Sequence, residues 1–241
     1  MIKKLVEHYL NRKDMVALPR ADAISPTAGA AALDRLKKRD ILLETIIDVG
    51  ASDGRWSEWM LPVYPLARYL CIEAQAAHEL KLKNFVAHHP NIEYVLAAAG
   101  AEEGNIYFDA GDLFGGLASY KPLENDCIVV PVTTIDAQVE RRALKPPYLI
   151  KLDTHGFEVP ILDGAARTLE KAEVLIIEVY NFVSGPPALL FYDMCRHLET
   201  KGFRCVDIFD PLFRPRDGSF WQIDMVFLRS TRPELQHTGY L

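Results

Sequence analysis

The sequence predicts an α/β fold built on a mainly parallel sheet, and three observations carry that reading. From residue 45 onward, short apolar runs alternate with amphipathic stretches, the pattern of repeated strand–helix units. The first apolar run passes straight into a loop bearing two glycines. After Gly202 the pattern becomes strand, turn, strand, so the sheet finishes in a hairpin rather than another crossover helix.

Taken in order, residues 1–44 read as a helical extension, with helical patterns at 2–13 and 30–38 flanking a turn-rich stretch at 19–29. It is expected to cap the main body or to form an interface, which would make a homodimer through the N-terminal helices. Residues 45–241 form the main domain. Its strands are expected at 45–49, 68–72, 92–96, 148–152 and 174–177, with helices at 56–60, 76–85, 134–142, 159–171 and 188–201. Gly202 sits where a helix ends on a glycine, and 203–209 and 221–228 form the closing hairpin. Residues 105–132 carry weak strand signals and are expected as an insertion near the sheet edge.

Composition bounds the partners. The 241 residues are 49% hydrophobic and 25% charged, with a formal net charge of −6 and no dense basic stripe, so nucleic acid is not the expected partner. Four cysteines lie apart without a C-x-x-C pair, which suggests reduced thiols. Charge interrupts the apolar N-terminus, and no apolar segment approaches the roughly 20 residues of a membrane-spanning helix. A cytoplasmic enzyme or binding protein is the expectation.

The chemistry concentrates at strand ends. In Ile47-Asp48-Val49-Gly50-Ala51-Ser52-Asp53-Gly54, a buried strand enters a small-residue loop and then a helix, the place where open α/β sheets bind ligands. Gly50 and Gly54 are read as letting backbone approach a ligand closely. The G-x-G-x-x-G spacing of dinucleotide sites is absent, and Asp48 would repel a pyrophosphate but could meet a cationic amino-acid group. At the next strand end Glu73 stands where an acid takes both hydroxyls of a ribose. Asp153 and Glu178 follow the fourth and fifth runs, so four acids are expected to converge on the carboxyl edge of the sheet.

These residues resemble the FkbM-type S-adenosylmethionine-dependent methyltransferases. The resemblance covers most of residues 40–229 and rests on the loop 48–54, Glu73, Thr133-Thr134-Ile135-Asp136, and above all Lys151-Leu152-Asp153-Thr154-His155-Gly156-Phe157-Glu158 followed by Ile161-Leu162-Asp163-Gly164-Ala165. It implies a Rossmann-like class I methyltransferase fold with a seven-stranded, mostly parallel sheet of order 3-2-1-4-5-7-6, last strand antiparallel. It further implies S-adenosyl-L-methionine as cofactor, with Asp48, Gly50, Ser52, Asp53, Gly54 and Trp56 around its methionine part, Glu73 and Ala74 at the ribose, Ala98 near the adenine, and Asp153 close to the methyl. The acceptor it implies is a hydroxyl of a sugar, glycan or natural product.

His155 stands where the family commonly has Glu. Methyl transfer to a hydroxyl needs a proton acceptor, and an ordinary imidazole, with a pKa of about 6.5, is available as one near pH 7. His155 is therefore the expected base, held by the Gly156 turn and oriented by Asp153 or Glu158. Mg²⁺ at Asp153 and Glu178 is a less favoured route to the same end. Phe114, Tyr120, Phe157, Tyr180, Phe182 and Trp221 are candidates for an acceptor wall, and the loop 111–116 for a mobile cover. The other histidines, His78 and the His88-His89 pair among them, read as surface residues. Two other readings stay open, a non-catalytic cofactor-binding or interaction subunit and a nicotinamide-dependent oxidoreductase.

Overall fold

The computed structural model describes residues 28–123, 127–183, 185 and 187–239. The helical pattern at 2–13, and with it the expected dimer contact, lies outside the described residues.

The central strands are β1 (Thr45–Val49), β2 (Arg68–Glu73), β3 (Ile92–Leu96), β8 (Tyr148–Leu152) and β9 (Ala172–Tyr180), paired in parallel in the order β3-β2-β1-β8-β9. β1 and β8 are buried along their whole length because helices cover one face and a second sheet with further helices covers the other, which is why they read as unbroken apolar runs. The hairpin β10 (Phe203–Phe213) and β11 (Phe220–Arg229) completes the sheet, with β11 antiparallel to both β9 and β10. The sheet is thus mixed, and counting its seven strands along the chain the order is 3-2-1-4-5-7-6.

The helices are α1 (Gly29–Lys38), α2 (Arg55–Met60), α3 (Glu79–His88), α4 (Ile135–Arg141), α5 (Glu158–Asp163), α6 (Ala166–Leu169) and α7 (Phe191–Thr200). α1 packs Ala32 and Leu36 into the same core as Ile46 and Val174, and is pinned to β10 by Arg35 on Asp207 at 2.6 Å and by the Gly29 N–H on Asp210 at 2.9 Å.

The stretch 105–132, expected as an insertion near the sheet edge, is built as a sheet of its own: β5 (Gly104–Asp109), β6 (Leu117–Ser119) and β7 (Cys127–Thr133), with the two-residue β4 (Ala98–Ala99), form a second, four-stranded sheet. Its Ile106, Phe108, Ala118 and Val130 share a core with Phe157 and Ile161. The single helix expected over 159–171 is two short ones, α5 and α6, parted at Gly164. A Cβ there would lie 2.0 Å from the Gly100 carbonyl oxygen, so the chain must turn on a residue without one.

Candidate active site

β1, β2, β8 and β9 deliver their carboxyl ends to one cleft of about 730 Å³, within the range of roughly 300–1,000 Å³ usual for small-molecule and cofactor sites. Gly50, Ser52, Trp56, Glu73, Ala74, Ala98, Asp153, His155 and Glu178 line it.

At the first strand end the glycines serve protein neighbours. Gly50 has φ +73°, and a Cβ there would lie 2.0 Å from the Asp153 carbonyl oxygen; at Gly54, φ +88°, it would meet the Phe85 ring at 2.6 Å. Both glycines are thus required by their protein neighbours, and Gly50 also lines the cleft. Glu73 organises the loop, one carboxylate oxygen accepting the Ser52 N–H and the other the Gln75 N–H, each at 2.7 Å. Each oxygen keeps a second lone pair, so Glu73 can still accept from hydroxyls in the cleft.

Asp48 and Asp53 do not line the cleft. Asp48 is fully buried, accepting from the Ser57 hydroxyl at 2.8 Å and lying 3.3 Å from Lys151 Nζ, because Asp48 and Lys151 stand opposite each other on β1 and β8. Lys151 thus takes the place proposed for a cationic ligand group. Burial alone would lower the Lys151 pKa, but the charges of Asp153 and Asp48 outweigh it and hold the ammonium protonated. Asp53 is gripped by the Arg55 guanidinium at 2.8 Å and by Lys81 at 3.4 Å, and the Arg55 hydrogen bond drives its carboxyl far below the usual range.

At the fourth and fifth strand ends the cluster is tighter. Lys151 Nζ donates to Asp153 Oδ2 at 3.1 Å. Burial works against the charge on Asp153, but Lys151 and His155 hold its pKa below the ordinary value. His155 Nδ1 lies 2.7 Å from the Tyr180 hydroxyl and 3.3 Å from Glu178 Oε2, and Nε2 lies 3.1 Å from the Phe114 carbonyl oxygen. Tyr180 donates to Glu178, and so does the Gln222 amide. Glu178 lies inside the longer β9 rather than after it, so the fifth acid reaches the cleft from within a strand.

A carbonyl oxygen only accepts, so a proton on Nε2 is directed at Phe114. Burial pushes the His155 pKa down, but the hydrogen bond and charge of Glu178, followed by Asp153 and Glu158, carry it up to about 9. These neighbours favour the imidazolium, where a neutral imidazole is the expectation near pH 7.

Glu158, expected as a catalytic or orienting acid, does not line the cleft. It is buried behind the turn, accepting the Gly156 N–H at 2.9 Å and the Thr154 hydroxyl at 3.1 Å, and burial raises its pKa. It fixes the turn on which His155 sits at φ +55°. The cover loop is also tied: Gln75 donates to the carbonyls of Asp112 at 3.0 Å and Leu113 at 3.2 Å, and His78 Nε2 lies 2.8 Å from the Leu113 carbonyl. The His78 ring is buried, which overturns its reading as a surface residue. The partnering roles of Lys151, Gln75, His78 and Gln222 escaped sequence reasoning. Only Lys151 carried a signal, a charge inside an apolar strand.

Among the described residues, Asp153, His155 and Glu178 bring potential metal ligands within 4.8 Å of one another. The Lys151 ammonium on Asp153 and the hydrogen bonds of Tyr180 and Gln222 to Glu178 already engage these carboxylates. The donor set suits proton handling better than Mg²⁺, which seeks a shell of oxygens.

The family model of the methyltransferase FkbM domain matches residues 48–205, more than half of the chain, and the chain belongs to that family of S-adenosyl-L-methionine-dependent methyltransferases. S-adenosyl-L-methionine is accordingly its cofactor, and the cleft fits it in volume and in the placing of Glu73. No curated protein matches the sequence. Among solved structures, a methyltransferase FkbM from Methylobacillus flagellatus KT superposes with a TM-score of 0.51 at 18% identity, covering 76% of this chain and 43% of that one. The chain thus spans less than half the length of that relative, and the likeness shows the fold. Fibrillarin from Methanococcus jannaschii gives a TM-score of 0.49 at 15% identity, covering 86% and 77% of the two chains. Fibrillarin from Aeropyrum pernix, solved with natively bound S-adenosyl-L-methionine, gives 0.46 at 14%, covering 81% and 73%.

Proposed function

We propose that the chain is an O-methyltransferase acting on a hydroxyl of a small-molecule or glycan acceptor, with His155 as the proton acceptor. The observation that carries this is the placing of His155 in the cleft wall beside Asp153, its Nδ1 held by Glu178 and Tyr180 and its Nε2 turned to the loop that covers the cleft.

When bound, S-adenosyl-L-methionine supplies an electrophilic methyl group whose bond to sulfur breaks as the acceptor oxygen attacks, leaving S-adenosylhomocysteine. The residues to hold it are Ser52, Trp56, Glu73, Ala74 and Ala98. His155 in its neutral form takes the hydroxyl proton at Nε2, and Glu178 and Asp153 stabilise the resulting imidazolium. Phe114, Tyr180 and Trp221 enclose the acceptor and keep water from the reacting oxygen. The wall is acidic and aromatic, which disfavours an anionic acceptor. The acidic balance of the chain argues against nucleic acid, and a cytoplasmic location goes with this reading.

The test is methyl transfer to a panel of sugar, glycan and natural-product hydroxyls, comparing wild type with His155→Gln. A loss of about 10²–10⁴ in kcat with cofactor binding intact supports the role of His155. Activity within about tenfold of wild type, a barrier change near 1.4 kcal/mol, refutes it.

A further inference from the structure

We infer that Glu178, clamped by Gln222 and Tyr180, is the positioning residue that dedicates Nδ1 of His155 to the protein and leaves Nε2 as the atom that meets the acceptor hydroxyl, in the place now held by the Phe114 carbonyl. This deepens the reading of His155 as base and rests on it only for its catalytic consequence.

Glu178 and Tyr180 are two residues apart on β9 and so share a face, while Gln222 lies opposite Tyr180 on the antiparallel β11 and reaches Glu178 diagonally. The two ends of the Glu178 carboxylate are thereby fixed, Oε1 by the Gln222 amide and Oε2 by the Tyr180 hydroxyl. Nδ1 of His155 meets the second of these ends. The ring is presented from a residue at φ +55°, a conformation that side chains rarely adopt, and the Glu158 carboxylate closes the turn beneath it. Nδ1 therefore has no freedom to serve a ligand.

Nε2 faces a different kind of partner. The Phe114 carbonyl belongs to a loop at the cleft wall, and its oxygen stands 3.1 Å from Nε2, the distance a hydroxyl oxygen needs for proton transfer. An acceptor entering beneath the loop replaces one oxygen by another at the same nitrogen.

Among the described residues, the groups that face His155 include Glu178 and Tyr180 from β9, Asp153 from the end of β8, Glu158 from α5 and the Phe114 carbonyl. Lys151 lies behind Asp153, and Asp224 on β11 stands opposite Glu178. The carboxylates outnumber the cations around the ring.

Nitrogen NMR of the full chain labelled in its histidines tests this, with His155→Gln assigning the resonances. The expected result is that the neutral ring keeps its proton on Nδ1 and leaves Nε2 bare by about tenfold or more, and that Glu178→Gln reduces this preference. A wild-type ring that loses its proton from Nδ1, or that populates both tautomers equally, overturns the inference, and neither depends on whether Glu178→Gln folds. The base reading fails separately, through an active His155→Gln.

Discussion

Lys151 and Asp48 face each other in register on neighbouring parallel strands, with their charged atoms 3.3 Å apart and neither side chain open to bulk water. Asp153 shares the same ammonium at 3.1 Å. One cation under the sheet edge thus serves two acids, and the cleft floor depends on it.

Lys151→Met removes that cation and leaves Asp48 buried without a countercharge. Breaking a buried pair from one side costs about 3–5 kcal/mol. Denaturant unfolding should show a loss of that order, and a loss below about 1 kcal/mol would mean that Lys151 does not hold the floor together.

Asp224 stands opposite Glu178 on the adjacent strand, and burial, then the charges of Glu178 and Asp153, push its carboxyl up to about 8. The unfolded chain ionises this group from about pH 4, the folded chain only near 8, so folding stability contributed here falls as pH rises through that window. Asp224→Asn should flatten the profile, with the largest gain at pH 8 and little below pH 4, at about 2–4 °C in Tm for each kcal/mol recovered. Equal Tm profiles of the two proteins across the window would contradict this placement of Asp224.

The strands that position the site were legible because β1, β8 and β9 are buried on both faces, which leaves an apolar run that periodicity detects. The closing hairpin was legible from Gly202 and two strand patterns with a turn between them. The second sheet was not, since β4 has two residues, β6 has three, and β7 exposes Ile128 and Val129 around Pro131. At the site, the acids could be named from their places at the strand ends, and His155 from the resemblance to the FkbM-type methyltransferases. Their partners could not: Lys151 reaches Asp48 across about a hundred residues of chain, and Gln222 reaches Glu178 across 44, pairings set by strand register alone. Asp53 shows the converse, an acid in the right motif that two local cations draw away from the cleft.

If His155 must lose a proton before it can accept one, kcat/KM for methyl transfer should climb with pH, reach half its maximum near 9 and level off above it, since that parameter reports the free enzyme. A profile already flat from pH 7 upward would show that another group handles the proton.

Chelation offers a further check on the same cluster. With Lys151, Tyr180 and Gln222 engaging the carboxylates of Asp153 and Glu178, exhaustive EDTA treatment should leave the rate within about twofold; a drop beyond tenfold, restored by Mg²⁺, would move the chemistry to a metal at these acids.

If Glu73 holds the cofactor in the cleft at the carboxyl edge, calorimetric titration with S-adenosylhomocysteine, run beside NADH and beside Glu73→Ala, should show it. Micromolar binding of S-adenosylhomocysteine is expected, weakened about tenfold or more in Glu73→Ala by the loss of charge-assisted hydrogen bonds, with no heat from NADH. Binding that Glu73→Ala leaves unchanged, or a preference for NADH, would mean that Glu73 does not hold the cofactor.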